Sequence, residues 1–196
     1  MVEFNGHGGA SPLYARRVSS HAGKYRLGPE KATLSLRTKR TGAAAKAGHD
    51  LLMHVTSWGA TLEIGEDPAE SSLALDVDAT SLRVQEGHGG AQALGDADKA
   101  SIHESIDEDV LRRQDIMFRS TKVESEGASG RLSVQGDLTI VGETRPITFD
   151  LAIADDGTLG AGAVVTQSAW GMKPYSILFG ALKVADDVEV GLEGRL

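Results

Sequence analysis

The sequence predicts an all-β fold, closed into an antiparallel barrel of about eight strands, with one amphipathic helix near residues 96–112. Three observations predict it. Apolar and polar residues alternate in run after run, the period of a strand with one dry face and one wet face. Turn-forming residues, rather than helical stretches, separate those runs. One segment alone switches to helical spacing. About seven to nine strands result, and an up-and-down series of that kind manages its edges by closing on itself.

The elements follow in chain order. Residues 1–22 read as a polar, Gly/Ser-rich stretch, expected to be a flexible tail with Leu13 and Tyr14 as its anchors. Its Arg16-Arg17 pair is followed by Val18-Ser19-Ser20-His21, not by the roughly 7–15 apolar residues of a secretory signal. The expected compartment is therefore the cytoplasm. A single domain is expected over residues 23–196.

In residues 31–38, Ala32, Leu34 and Leu36 alternate with Lys31, Thr33, Ser35 and Arg37. In residues 72–79, Leu73, Leu75 and Val77 alternate with Ser72, Ala74, Asp76 and Asp78. Residues 131–140 carry Leu132, Val134, Leu138 and Ile140 on one parity, and residues 147–153 carry Ile147, Phe149, Leu151 and Ile153. Val188, Val190 and Leu192 repeat the pattern near the C-terminus. Gly65-Glu66-Asp67-Pro68, Glu126-Gly127, Gly142-Glu143 and Asp155-Asp156-Gly157 supply the turns, since Gly, Asp and Pro adopt turn geometry at low cost.

The helix is expected over Asp96–Arg113. Ile102, Ile106, Val110 and Leu111 recur at three-to-four spacing. Asp96 and Asp98 open the segment and Arg112 and Arg113 close it, matching the helix dipole. Residues 86–90, Glu-Gly-His-Gly-Gly, are expected to be a loop before it.

Composition narrows the function classes. The chain has 196 residues and no cysteine, so disulfides, thiolate-held metals and thiol nucleophiles drop out. Its 20 basic and 28 acidic residues sum to −8, the wrong sign for a nucleic-acid surface. No apolar run approaches the roughly 20 residues of a membrane helix, so membrane insertion is not expected. No nucleophile elbow and no phosphate-binding loop occurs.

Two blocks, with the strand that precedes them, resemble a known family. Gly136-Asp137-Leu138-Thr139-Ile140-Val141-Gly142-Glu143-Thr144-Arg145-Pro146-Ile147 is similar to the glycine-bounded hairpin of the YceI-like family. Gln167–Ser176 and Gly180–Val188 are similar to its closing segment, and Asp115–Thr121 to its strand after a helix. Asp67–Leu73 and Ala79–Leu82 fit the segment before that helix. The resemblance spans about residues 23–196. Many members of the family are secreted to the periplasm. This chain departs from the family pattern at Leu27–Thr33, while Gly48-His49-Asp50-Leu51 resembles a cytosolic or actinobacterial-type branch.

The resemblance implies a lipocalin-like barrel that binds rather than catalyses. Its implied ligand is a polyisoprenoid lipid or isoprenoid quinone, held in an apolar channel; no other cofactor, no metal and no catalytic residue are expected. The residues expected to line the channel are Trp58, Leu75, Val77, Phe118, Leu138, Ile140, Phe149, Leu151, Trp170 and Phe179. Alternation alone does not separate a hollow interior from a packed one. Trp170, Met172, Tyr175 and Phe179 read equally as a plug of one barrel end or as a ligand wall. Partners are an apolar small molecule and, in some arrangements, a second copy of the chain. The alternative is a structural or stress-associated dimer with a filled barrel, acting through a protein partner.

Histidines offer little chemistry by spacing. His49 and His54 differ by five, so one strand points them to opposite faces, and a shared metal is not expected. His49 and Asp50 read as turn-fixing groups. His103 and Glu104 fall on the helix, where Lys99 and Asp107 stand four residues to either side of His103, and read as a solvated, charge-paired face.

Overall fold

The computed structural model describes residues 21–126 and 131–196. The expected tail over residues 1–22 lies outside the described residues apart from His21 and Ala22. Eleven strands form one antiparallel sheet: β1 (Gly23–Leu27), β2 (Ala32–Thr38), β4 (His49–Val55), β5 (Trp58–Ile64), β6 (Ser72–Val77), β7 (Leu82–Gly89), β8 (Ile116–Ser125), β9 (Arg131–Ile140), β10 (Glu143–Ile153), β11 (Thr158–Thr166) and β14 (Asp187–Arg195). Their spatial order is β1-β5-β6-β8-β9-β10-β11-β14-β2-β4-β7. Three short strands, β3 (Arg40–Thr41), β12 (Ser176–Ile177) and β13 (Leu182–Val184), make a separate small sheet in the order β12-β13-β3.

The class is as expected, whereas the barrel differs from the expected closed eight. The sheet has eleven strands and curls, with β1 and β7 at its two ends. The curl has a local cause. β4 lies beside β7 at one end of the order and β5 beside β1 at the other, yet two residues, Thr56 and Ser57, join β4 to β5. That corner is bonded to the β6–β7 connection. The Thr56 N–H donates to the Ser81 carbonyl at 3.0 Å, the Ser57 N–H to Ser81 Oγ at 3.1 Å, and the Asp78 N–H to the Ser57 carbonyl at 3.1 Å. The two ends of the sheet therefore meet at one corner.

The glycine-bounded hairpin is a two-residue turn in which Ile140 faces Glu143. Val141 (φ 50°) and Gly142 (φ 77°) both adopt the left-handed conformation, as a turn matched to strand twist requires. The expected loop over residues 86–90 is instead the end of β7, which pairs with β4 as far as His49 opposite Gly89. Glycines and a histidine hide the strand period there, and backbone pairing alone carries it.

The single α-helix among the described residues, α1 (Asp96–Ser105), continues as one wide π turn over Ile106–Val110. Asp98 Oδ2 accepts from the Gly95 N–H at 2.9 Å and fixes its start. Positive φ at Arg112 and Arg113 ends it. α1 lies along β7, and its apolar side joins the core formed by the inward faces of the sheet.

Candidate functional site: an apolar cavity inside the curled sheet

The inward faces do not fill the interior. They enclose a cavity of about 370 Å³, within the range of small-molecule sites at roughly 300–1,000 Å³. β11 explains the room. Its sequence is Thr-Leu-Gly-Ala-Gly-Ala-Val-Val-Thr, and Ala161 and Ala163 stand on the inward parity between Leu159 and Val165, where other strands place Leu or Val.

The opposite parts of the wall are bulky and aliphatic. β2 and β4 contribute Leu34, Leu36, Leu51 and Met53, and β14 contributes Val188, Val190 and Leu192. Phe118 of β8 and Phe149 of β10 meet with ring centroids 5.3 Å apart at 58°, an edge-tilted pair. Gly136 of β9 lies behind Phe118. A Cβ at that position would stand 2.4 Å from both the Phe118 ring and the Arg119 carbonyl oxygen, so the glycine lets Phe118 seat against the sheet.

The helix closes part of the wall. Ser101, Ile102 and Ser105 of α1 line the cavity, and so do Ile106, Val110 and Leu111. The π turn, closed by the Leu111 N–H donating to the Ile106 carbonyl at 2.8 Å, carries the last three. Two side chains fasten α1 to β7. His103 Nε2 accepts from the Val84 N–H at 2.9 Å, and Lys99 Nζ donates to the Gln85 carbonyl at 3.2 Å. Gln85 is the extra residue of a β-bulge, since Leu52 faces Glu86 and Met53 faces Val84. Helix side chains thus serve backbone groups at an irregular sheet edge. His103 is therefore not the solvated residue expected from its spacing. Burial, with Arg83 beside it, lowers its pKa from the usual 6.5; Asp107 opposes this and Lys99 adds to it.

No charged side chain lines the cavity among the described residues. Its polar lining is Thr38, Ser101, Ser105, Gln167 and Tyr175. Gln167 spends its amide on the Ala185 carbonyl at 2.9 Å. Tyr175 is 38 % exposed while touching the cavity, so it links the wall to the outer surface. Such an interior can select by shape and apolar area.

The structure places the ten expected lining residues in three groups. Leu75, Val77, Phe118, Leu138, Ile140, Phe149 and Leu151 stand on the wall. Trp58 and Trp170 are buried in the core but off the wall. The Trp170 indole N–H donates to the Leu138 carbonyl at 3.0 Å, which turns the ring onto β9. Trp58 begins β5 at the corner, facing Val77. Phe179 is fully exposed and lines nothing. Left-handed backbone at Leu178 and Phe179, φ 55° at each, turns the chain outward there.

Sequence reasoning missed β11 and the helix wall. Runs of Gly and Ala carry no alternation to read, and helical spacing predicts an apolar face without telling what it faces. Among the described residues no three His, Asp or Glu side chains converge on one point. His49 Nε2 pairs with the Gln92 carbonyl at 2.7 Å, and Asp50 Oδ1 accepts from the Arg40 N–H at 2.8 Å.

A family model described as a YceI-like domain matches residues 25–196. No curated protein matches. Among solved structures, Burkholderia cenocepacia BcnA superposes with a TM-score of 0.62 at 18% identity, covering 83% of this chain and 94% of that one. A Campylobacter jejuni YCEI protein that crystallizes with large solvent channels gives 0.52 at 16% identity, covering 74% and 82%. A cysteine mutant of that protein with a monobromobimane guest gives 0.53 at 15% identity over the same shares. These likenesses concern the fold.

Proposed function

This chain belongs to the YceI-like family, and from that premise we propose that it binds and carries a long apolar molecule, an isoprenoid lipid or quinone, inside its curled sheet. The observation that carries the reading is the cavity of about 370 Å³, walled among the described residues without a charged side chain. A prenyl chain has no hydrogen-bonding groups along its length, so shape and apolar area suffice to hold it. Each 100 Å² of apolar surface that such a guest buries contributes about 2.5 kcal/mol. The few polar groups on the wall, Tyr175 and Gln167 among them, suit one polar head at one end. In this reading the barrel completes itself around the guest, with α1 as the wall beside β7, and the protein acts as a binder rather than an enzyme. The filled-barrel alternative needs bulky side chains at every inward position, and β11 has Ala161 and Ala163 at two of them instead.

The test is solvent extraction and mass spectrometry of protein purified from its own host, with native mass spectrometry alongside. A stoichiometric prenyl lipid or quinone is the expected result. Protein that arrives empty, with a melting temperature indifferent to added polyprenols and quinones, overturns the reading, because a ligand that binds the folded state must stabilise it.

A further inference from the structure

The outer face of the small sheet has a composition unlike the rest of the chain. Its three strands and their loops span residues 39–48 and 167–185. These carry five of the 20 Lys and Arg residues, at Lys39, Arg40, Lys46, Lys173 and Lys183. The loop on to β14 adds one acid, Asp186, whose carboxylate accepts from the Ser168 N–H at 2.8 Å and from the Ser168 hydroxyl. In a chain of net charge −8 this is a region where lysine and arginine outnumber carboxylates. Lys39 and Arg40 approach Glu189 and Asp50 at 3.4 and 3.9 Å. Lys46, Lys173 and Lys183 form no ion pair among the described residues.

At the tip of this sheet stand three consecutive exposed large apolar side chains, Phe179 being the most exposed among the described residues. Phe179 is 112 % and Leu178 60 % exposed, and Ile177 beside them is 42 % exposed. The tip is built, not frayed. Leu178 and Phe179 hold left-handed backbone, which is strained for bulky residues. Ladder pairs of Ser176 with Lys183 and Ile177 with Leu182 hold it in place. The Ala181 N–H donates to the Leu178 carbonyl at 3.0 Å, and the Ala44 N–H to the Ala181 carbonyl at 2.8 Å. Structure is thus spent on presenting apolar side chains to solvent. Four residues along the chain, Tyr175 reaches the cavity wall.

We propose that the Ile177–Phe179 tip and the lysines around it dock the protein on an anionic phospholipid membrane. Apolar side chains at a tip enter the interfacial layer while lysines meet lipid phosphates, the combination by which peripheral proteins lie on bilayers without crossing them. No helix among the described residues is long and apolar enough to cross, and docking needs none. The docked face is continuous with Tyr175, so a molecule moving between bilayer and cavity has a short path through an unhydrated contact. The docking surface itself depends on nothing inside the cavity.

The experiment is flotation of the full-length protein with vesicles that contain no isoprenoid. One set is phosphatidylcholine alone; the other is two parts phosphatidylcholine to one part phosphatidylglycerol. Binding is expected on the anionic set and to fall with added salt. Leu178→Ser with Phe179→Ser should lower the partition coefficient roughly tenfold or more. Lys173→Glu with Lys183→Glu should lower it by about fivefold or more per lysine. Lys31→Glu with Lys122→Glu makes the same change in net charge elsewhere and should leave binding close to wild type. Melting temperatures of the tip variants should match wild type, since the tip packs on nothing. Wild-type protein that ignores anionic vesicles, or tip variants that float as wild type does, overturns the proposal. So does a dimer, seen by analytical ultracentrifugation, that the tip variants dissolve while no flotation occurs; the tip would then belong to a second copy. Because the vesicles lack cargo, none of these results depends on whether the cavity holds a prenyl chain.

Discussion

Gly136 opens the hairpin block yet takes no left-handed conformation; its importance is steric. With 2.4 Å between a hypothetical Cβ and the Arg119 carbonyl oxygen, Gly136→Ala must push two strands apart or move the Phe118 ring toward the cavity. The expected cost is about 1–3 kcal/mol, read as a lower urea midpoint with an unchanged slope. His103 gives a second prediction at this scale. Its folded pKa is depressed, so as pH falls through 6.5 the unfolded chain takes up the proton first. Stability should therefore drop from pH 6.5 downward until the folded form titrates as well. His103→Gln keeps an acceptor for Val84 and should flatten that dependence in pH-resolved melts. His103→Ala leaves the Val84 N–H without this partner and should cost about 1–3 kcal/mol at neutral pH. Neither role was legible beforehand. A glycine in a strand and a histidine between charged neighbours have the same appearance whatever they face.

At the scale of elements, legibility followed side-chain size. β2, β6, β9 and β10 announce themselves because Leu, Ile, Val and Phe alternate with polar groups along them. β11 does not, since its middle is Gly-Ala-Gly-Ala, and β7 ends in glycines. The strand hardest to read is thus the one that makes the interior hollow. Ala161→Phe tests that directly. The ring should occupy cavity space, leave the melting temperature of the unliganded protein equal or higher, and abolish the thermal shift caused by polyprenols. A variant that retains the shift places the guest elsewhere. The helix was legible in extent but not in purpose. Ile102, Ile106 and Val110 predict a dry side, and the structure turns that side to the cavity, where they stand with Leu111 on the wall.

For the molecule as a whole, class and family could be read from the sequence, and the interior in part. Period-two runs predict β structure wherever they occur, but strand number depends on pairing partners far apart in the chain. Hence eleven strands stand where about eight were expected. Parity put seven of the ten expected residues on the cavity wall. Trp58, Trp170 and Phe179, offered as large aromatics rather than by alternation, stand off that wall, their positions set by a corner, an indole hydrogen bond and a left-handed turn. The strand order has one more consequence. β14 lies between β11 and β2 and pairs with both, Glu189 facing Arg37 and Val164. On a ribosome, β2, β4 and β7 would be synthesised long before the neighbour that joins them to β11. The early strands would have to wait with an apolar edge unpaired, the hazard of high contact order. Completion of the sheet would then come only after β14 has left the exit tunnel, so the strands from β2 to β11 would stand outside the ribosome as an incomplete sheet until residues 187–195 join them.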